Sequence, residues 1–210
     1  MVENNPLVSV CIITYNCSKF ILETLESVKS QTYQNIELVI SDDCSIDNTV
    51  NLCQTWIEKN TILLTVLKNS GVTANCNRVT NVANGEWIKL IGGDDLLINT
   101  CIADNVEFTN KHPKCYIVES GICAIDEKSN MINKQFNLPD KYFHNNNTSA
   151  YYQHRLLLYM YPVNILCVFY KKNLLNAIGY FDESIPQQED VPFILKVTQM
   201  GYKIYYFPFV

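Results

Sequence analysis

The sequence predicts an α/β protein with a mostly parallel central sheet flanked by helices. Strand-like and helix-like segments alternate over about the first 125 residues. The strand-like segments are nearly continuous apolar runs, which are typical of strands covered on both faces. Two of these runs end in carboxylate pairs, Asp42–Asp43 and Asp94–Asp95. Regular alternation favours right-handed crossovers between parallel strands, and the ligands of such sheets gather beyond the carboxyl ends of the strands.

Four strand–helix units account for the first half of the chain. The predicted strands are LVSVCIIT (7–14), IELVIS (36–41), ILLTVL (62–67) and EWIKLI (86–91). A helix follows each strand, and in the first two helices the apolar residues fall on one face. Asp47 is the predicted cap of the second helix, Asn84–Gly85 ends the third, and Asn99 or Thr100 starts the fourth.

The second half alternates less regularly. YIVESGICAIDEKSNMI (116–132) predicts one or two strands with a turn, and the polar stretch QFNLPDKYFHNNNTSA (135–150) predicts a loop. The predicted helices are YYQHRLLLYMY (151–161), KNLLNAIG (172–179) and EDVPFILKVTQMG (189–201). The predicted strands are NILCVFYK (164–171) and YKIYYFPF (202–209).

Composition limits the classes of protein and of partner. The 210 residues are 48% hydrophobic and 18% charged, which is enough for a full core. A formal charge of −5 argues against a nucleic-acid partner, which needs a basic face. Nine cysteines without a C-x-x-C pair predict free thiols in a reducing cytosol and no zinc. Without a signal peptide or a ~20-residue apolar segment we expect a cytoplasmic protein, and peripheral association with the inner face of the membrane stays open.

The carboxylate pairs point to a divalent metal. Adjacent carboxylates repel each other, and a bound cation is the simplest compensation. Hard oxygen ligands suit Mg²⁺ or Mn²⁺, and magnesium completes its coordination shell with water and substrate phosphates. Asp94–Asp95 at a strand end therefore suits a metal–diphosphate site. An ordinary solvated turn is the open alternative, because Gly-Gly-Asp-Asp is also a turn-forming composition.

Signatures of other chemistries are absent from the sequence. There is no G-x-x-x-x-G-K-[ST], no G-x-G-x-x-G after the first strand, no H-E-x-x-H and no G-x-S-x-G. A diphosphate would therefore be held mainly through a metal. His112, His144 and His154 lie in polar or helical surroundings, and we predict that all three are surface residues.

Four motifs follow one another along the chain: VSVCIITYN, IELVISDDCSIDNT, NSGVTANCNR…ANGEWIKLIGGDD and GYFDESIPQQEDVPFILKV. Together they resemble the family 2 glycosyltransferases of the GT-A fold, over essentially the whole chain. The resemblance implies an inverting hexosyltransferase-type enzyme that uses Mn²⁺ or Mg²⁺ and a nucleotide-diphosphate sugar, with UDP as the default nucleotide. The implied acceptor is a saccharide or lipid-linked saccharide in cell-surface polysaccharide synthesis.

The resemblance also implies a division of labour within one GT-A domain over residues 1–210. Residues 1–97 would form the nucleotide-sugar-binding half, and residues 98–210 the acceptor-side half. In the family a basic, histidine-bearing segment often follows the position where this chain ends, so we expect a chain truncated at its carboxyl terminus. The oligomeric state does not follow from the sequence.

Residue roles follow from the same resemblance. The implied nucleotide-binding residues are Thr14, Tyr15, Asn16, Asp42, Asp43, Asn69, Gly71, Arg78 and Asp94. Among them, the Tyr15 ring would pack near the base, Asp43 would accept a hydrogen bond from a base N–H, and Asp42 would support that loop. Asp95 is the implied stronger metal ligand, with Asp94 on ribose or metal. Asp190 is the implied general base, and its neighbour Glu189 completes the catalytic pair.

Three positions depart from the family pattern. Gly92 stands where the family usually has the first acid of its metal turn, and Cys44 replaces the Gly of D-D-G-S. Cys76 occupies a position that is often Arg, two residues before Arg78. These departures keep open an alternative, a non-catalytic nucleotide- or carbohydrate-binding GT-A-like module. A nucleotidyltransferase is disfavoured, because TYNCSKF after the first strand has neither Gly nor Arg.

Overall fold

Nine strands occur in the part of the chain that the structure describes. The structure is a computed structural model, and it describes residues 5–57, 61–133, 141–145, 147–160, 163, 165–185 and 187–207. In chain order the strands are β1 (Val8–Thr14), β2 (Ile36–Asp42), β3 (Thr61–Thr65), β4 (Trp87–Gly92), β5 (Ile117–Ser120), β6 (Ala124–Ile125), β7 (Met131–Asn133), β8 (Val168–Lys171) and β9 (Ile204–Phe207).

Seven α-helices accompany the strands in the same described residues. They are α1 (Ile21–Lys29), α2 (Thr49–Trp56), α3 (Val72–Val82), α4 (Cys101–Lys111), α5 (Ala150–Leu157), α6 (Lys172–Ile178) and α7 (Asp190–Gln199). A 3₁₀ turn, Ile165–Cys167, leads into β8. Helix α5 ends at Leu157, four residues before the end of the segment that the sequence predicts as helix. None of these helices has the length and apolar composition of a membrane span.

The predicted fold class is confirmed. Seven strands form one sheet in the order β3-β2-β1-β4-β8-β5-β9, and β6 and β7 form a separate antiparallel hairpin. The strands β3, β2, β1 and β4 run parallel, as do β5 and β9, and only β8 runs antiparallel to its two neighbours. The sheet is therefore mostly parallel, with the first four strands grouped at one side.

Helices cover both faces of the sheet. Alternate side chains of β4 pack against different helices. Ile88 and Leu90 belong to an apolar cluster with residues of α3 and α7. Trp87 and Ile91 belong to a second cluster with residues of α1 and α4. All four side chains are buried. Burial on both faces is the physical reason why these strands are continuous apolar runs in the sequence.

The prediction of three surface histidines is wrong for His144. Its ring is buried, with Nε2 3.0 Å from Oε2 of the buried Glu119 on β5. The preceding Phe143 is also fully buried, so this end of the polar stretch is anchored in the core. His112 and His154 are half-buried. The first part of that stretch, residues 135–140, and residue 146 lie outside the described residues.

Glu37 ties three segments together near the amino-terminal ends of the strands. Ser9 Oγ and the backbone N–H of Asn84 donate to its Oε1, as does the N–H of Gly85 at 3.0 Å. Asn84 Nδ2 donates to Oε2 at 3.1 Å. Burial would raise the pKa of Glu37, but these hydrogen bonds outweigh burial and lower the pKa. This carboxylate therefore supports the folded state in its ionised form.

We expect Glu37→Gln to lower the free energy of unfolding by about 1–2 kcal/mol at pH 7, because a neutral acceptor holds these donors less strongly. The folded pKa lies below the ordinary 4.5, so the stabilisation is full above that value and is lost as the pH falls through the folded pKa. Urea unfolding at pH 7 and pH 3 measures this difference, which should shrink in acid.

Glu107→Gln is the matched control, since it alters an exposed carboxylate that pairs with Lys111 on the helix surface. Glu107→Gln should lower the free energy of unfolding only slightly at either pH. A stability difference between wild type and Glu37→Gln that grows on acidification would contradict the assignment.

Candidate functional site

The carboxyl ends of β1, β2 and β4 lie level with one another. Thr14 pairs with Asp42 across β1 and β2, and Ile13 pairs with Gly92 across β1 and β4. The turns continue this alignment, because the N–H of Gly93 donates to the carbonyl of Ile13 at 2.8 Å. The structure therefore brings the residues predicted for nucleotide and metal to one edge of the sheet.

The loops after β1 and β2 are hydrogen-bonded to each other. The N–H of Asn16 donates to Ser45 Oγ at 2.8 Å, and Asn16 Oδ1 accepts from the N–H of Ile46 at 2.9 Å. Asp42 is buried and accepts from both the N–H and the Oγ of Ser45. Asp42 thus supports the loop after β2. Tyr15, in the loop after β1, has a side chain that is 47% exposed.

Asp47 joins the same two loops from the other side. It lies one residue before the N-cap Asn48, and its Oδ1 accepts from the N–H of Thr49 at 3.0 Å. Its Oδ2 accepts from the N–H of Ser18 at 3.0 Å. Burial would raise the pKa of Asp47, but the bonds from Thr49 and Ser18 hold this pKa well below its usual range. Asp47 therefore holds the start of α2 and the loop after β1, although the N-cap is Asn48 and not Asp47 as the sequence predicts.

Asp43 is the most fully satisfied carboxylate of this edge. It is 2% exposed, and Ser70 donates to it through its N–H at 2.9 Å and its Oγ at 2.6 Å. The N–H of Gly71 donates at 2.7 Å, and Arg78 donates at 3.2 Å. Burial would raise the pKa of Asp43, but the bonds from Ser70, Gly71 and Arg78 lower it. Asp43 is therefore held ionised and in one orientation.

Arg78 contacts the protein with both of its terminal nitrogens. One donates to Ser41 Oγ at 3.2 Å and to Asn75 Oδ1 at 2.9 Å. The other donates to Asp43 and to Ser70 Oγ. The sequence predicts a nucleotide contact for Arg78, and the structure places its guanidinium where it positions Asp43.

Gly71 has a backbone requirement of its own. Its φ of +87° lies in the region that favours glycine, although a Cβ there would meet no atom within 4 Å. Its N–H reaches both Asp43 and the Oδ1 of the exposed Asn69, the latter at 3.1 Å. The turn before α3 therefore presents Asn69 at the surface and directs one N–H at Asp43.

The Asp94–Asp95 turn folds back over Gly92. Asp95 Oδ2 accepts from the N–H of Gly92 at 2.8 Å. A Cβ placed on Gly92 would lie 2.8 Å from Asp94 Oδ1 and 3.0 Å from Asp95 Oδ2. The two carboxylates thus converge on the space that a side chain at position 92 would fill. An acid at this position would require both carboxylates to move.

The residues of this turn fit a hard divalent cation. Burial raises the pKa of Asp95, and the neighbouring Asp94 charge adds to this effect against the opposing Gly92 hydrogen bond. Such a pair is stabilised by a cation, and magnesium needs only one or two protein carboxylates beside phosphates and water. No group of three or more His, Cys, Asp or Glu side chains suited to a metal occurs within the described residues.

The predicted catalytic pair lies at the start of α7, which packs in the same apolar cluster as α3. Asp190 is half-buried, and its Oδ1 accepts from the N–H of Val191 at 2.7 Å. Glu189 turns inward, where its Oε2 is buried and accepts from no described donor. Burial and then the Glu189 charge raise the pKa of the Cys76 thiol on α3. No described hydrogen bond links Asp190 to Asp94 or Asp95.

Sequence reasoning missed three residues that hold the site together. Ser45, Ser70 and Asn75 orient Asp42, Asp43 and Arg78 through the bonds described above. Ser45 had a signal, since it is the serine of the D-D-C-S motif. No sequence signal pointed to Ser70 or Asn75. Ser70 bonds to Asp43, 27 positions away, and Asn75 bonds to Arg78 across one helical turn.

Comparison with known proteins defines the class. The family described as glycosyl transferase family 2 matches residues 9–172, which is most of the chain. The chain therefore belongs to glycosyl transferase family 2, and its sheet and helices have the GT-A arrangement.

Two relatives illustrate the family. The chain is 30% identical over 128 residues to the putative glycosyltransferase EpsE of Bacillus subtilis (60% of this chain, 46% of the relative). It is 34% identical over 102 residues to the UDP-Glc:alpha-D-GlcNAc-diphosphoundecaprenol beta-1,3-glucosyltransferase WfaP of Escherichia coli (49% of this chain, 41% of the relative). The matched segments thus span less than half the length of either relative.

Two solved structures share the fold. S. aureus TarS, residues 1–349 in complex with UDP, has a TM-score of 0.75 at 23% identity, over 96% of this chain and 57% of that one. The mannosyltransferase PcManGT from Pyrobaculum calidifontis, in complex with GDP-Man and Mn²⁺, has a TM-score of 0.70 at 20% identity, over 98% of this chain and 55% of that one. At these identities the likeness is one of fold.

We expect Cys44→Gly to raise the free energy of unfolding by about 0.5–1 kcal/mol. Cys44 has a φ of +69°, where a Cβ is strained and glycine is not. Cys44→Ala is the control, because it removes the thiol and keeps the Cβ, and it should give no such gain. Equal stability of the two variants in urea would show that the backbone angle is not the cause.

Proposed function

We propose that the chain is the catalytic domain of an inverting glycosyltransferase. It moves a hexose from a UDP-sugar to a saccharide or lipid-linked saccharide acceptor in cell-surface polysaccharide synthesis. The observation that carries this proposal is the single edge of the sheet where Tyr15, Asp43 and the Asp94–Asp95 turn meet. Family membership, the UDP bound to TarS and the lipid-linked acceptor in the name of WfaP support it.

The two halves of the domain share the work in this proposal. Residues 1–97 bind the nucleotide sugar and residues 98–210 contact the acceptor. The protein works in the cytoplasm, at the inner face of the membrane where a lipid-linked acceptor is exposed.

The nucleotide base binds between Tyr15 and Asp43. The exposed Tyr15 ring offers a stacking surface, and Asp43 offers a fixed negative charge. A carboxylate has about four lone-pair positions, and the present donors to Asp43 already number four. A base N–H therefore replaces one of them. The hydrogen bond from Arg78 to Asp43, at 3.2 Å, is the longest of the four, and we expect the base N–H to replace it.

Asp95, with Asp94, would hold Mn²⁺ or Mg²⁺ together with the donor diphosphate. The convergence of the two carboxylates over Gly92 supports this placement, and PcManGT holds Mn²⁺ in the same fold. The cation would neutralise the negative charge that develops on the departing diphosphate. Without the cation, the two carboxylates would repel the donor phosphates.

Asp190 acts as the general base. It takes the proton of the acceptor hydroxyl while that oxygen bonds to the anomeric carbon from the side opposite the diphosphate. The bond from the anomeric carbon to the diphosphate oxygen breaks in the same step, and the configuration inverts. Glu189 Oε2 is buried and its charge acts on the Cys76 thiol, so we do not expect Glu189 to contact the acceptor.

A thermal-shift panel of UDP, GDP, CDP and TDP with Mn²⁺ tests donor binding. We expect UDP to give the largest rise in melting temperature, because ligand binding to the folded state stabilises it. Asp95→Asn should remove the Mn²⁺-dependent part of the UDP effect. Asp182→Asn, which changes an exposed-loop carboxylate bonded to Ser184, is the control and should retain that part. No stabilisation by any nucleotide would reject the donor site.

Asp190→Asn tests the catalytic step. We expect the rate of UDP release in the presence of a UDP-sugar panel and saccharide acceptors to fall about 10²–10⁴-fold, with UDP affinity nearly unchanged. Glu189→Gln, at the neighbouring position, should lower this rate much less. Full turnover in Asp190→Asn would remove Asp190 from the role. UDP binding by wild type without any UDP release from these donors would favour the alternative, a non-catalytic GT-A-like binding module.

A further inference from the structure

A cavity of about 330 Å³ adjoins the Asp94–Asp95 turn on the face of the sheet that α4 covers. Strand β4 contributes Lys89 to its wall, and α4 contributes Asn105. The volume lies at the lower end of the roughly 300–1,000 Å³ of small-molecule sites. Leu96 lines the cavity and is also exposed, so solvent reaches the cavity on that side.

Asn105, one of the residues that line the cavity, carries a buried hydrogen-bond acceptor to which no described residue donates. The residue is 1% exposed, and its Nδ2 donates to the carbonyl of Cys101 at 2.8 Å. This bond fixes which amide atom is which. The remaining atom, Oδ1, is buried, and no described residue donates to it. Such an acceptor destabilises the fold unless something binds there.

Lys89 brings a cationic donor to the same wall. It is 3% exposed, and its charge acts on Asp95 and Cys101 nearby. The rest of the wall is largely apolar, with the buried Ile91 and Leu97 among its members. The residues that line the cavity therefore include one with an acceptor, one with a cationic donor and several that are aliphatic.

We propose that this cavity binds the acetamido group of an N-acetylamino sugar. A secondary amide offers one N–H, which would donate to Asn105 Oδ1, and one carbonyl, which would accept from Lys89. Its methyl group would contact Ile91 and Leu97. A hydroxyl in the same place leaves the apolar wall uncovered.

This inference rests on the proposed function, because the cavity shares Asp94 and Asp95 with the proposed metal–diphosphate site. The acetamido group can belong either to the donor sugar or to the acceptor. Both sources present the same chemistry to the cavity, and separate titrations distinguish them.

Calorimetric titration in Mn²⁺ provides the test in two arms. The donor arm compares UDP-N-acetylglucosamine with UDP-glucose. The acceptor arm compares methyl N-acetylglucosaminide with methyl glucoside in the presence of UDP. We expect about a tenfold preference for the acetamido compound in one arm, the size of one good buried hydrogen bond.

Asn105→Leu should abolish this preference while UDP affinity is unchanged, because an apolar side chain of similar size removes only the amide. Asn110→Leu, on an exposed position of the same helix, is the matched control and should keep it. Should Asn105→Leu not fold, Cys123→Trp in the loop that lines the cavity should block the acetamido compound instead.

Equal affinities in both arms with UDP still bound would overturn the inference and leave the proposed function standing. A preference that survives Asn105→Leu or Cys123→Trp would also overturn it. Failure to bind UDP at all would reject the proposed function and the inference together.

Discussion

The level carboxyl ends of β1, β2 and β4 are the constraint on which the rest of the site depends. Because side chains alternate along a strand, a slip of one residue would turn Thr14 or Asp42 to the opposite face. The alignment also requires close backbone approach. A Cβ on Gly93 would lie 2.8 Å from Thr14 Oγ1, so a side chain there would force the turn after β4 away from β1. The carboxylate pairs meet at one edge only while this packing holds.

Burial is compensated at Asp43 but not at Asp95. Asp43 is surrounded by donors from Ser70, Gly71 and Arg78, which lower its pKa despite burial. Burial and the neighbouring Asp94 raise the pKa of Asp95. Asp43 thus finds its donors within the protein, whereas a cation is the partner that we propose for Asp94 and Asp95. This contrast gives the two ends of the proposed donor site their different chemistry.

The parallel half of the fold follows from local patterns, whereas several site contacts do not. Continuous apolar runs and turn residues are enough to predict β1 to β4 and the helices between them, because each signal lies within a dozen residues. His144 shows where this reasoning fails. Its local surroundings are polar, and it is buried by distant residues, among them Glu119, 25 residues earlier on β5, and Tyr206 on β9. The bond from Arg78 to Asp43 is likewise invisible to local patterns, since the two residues lie 35 positions apart.

The sequence by itself determined the α/β class, the order of the first four strands and helices, and the residue types available for metal and nucleotide chemistry. These follow from periodicity and from motif order, which are local properties. Only the tertiary structure decided that Arg78 holds Asp43, that Glu189 Oε2 is buried, and that Asn105 lines a cavity beside the Asp94–Asp95 turn. Burial and hydrogen bonding between distant segments exist only once the sheet has brought those segments together.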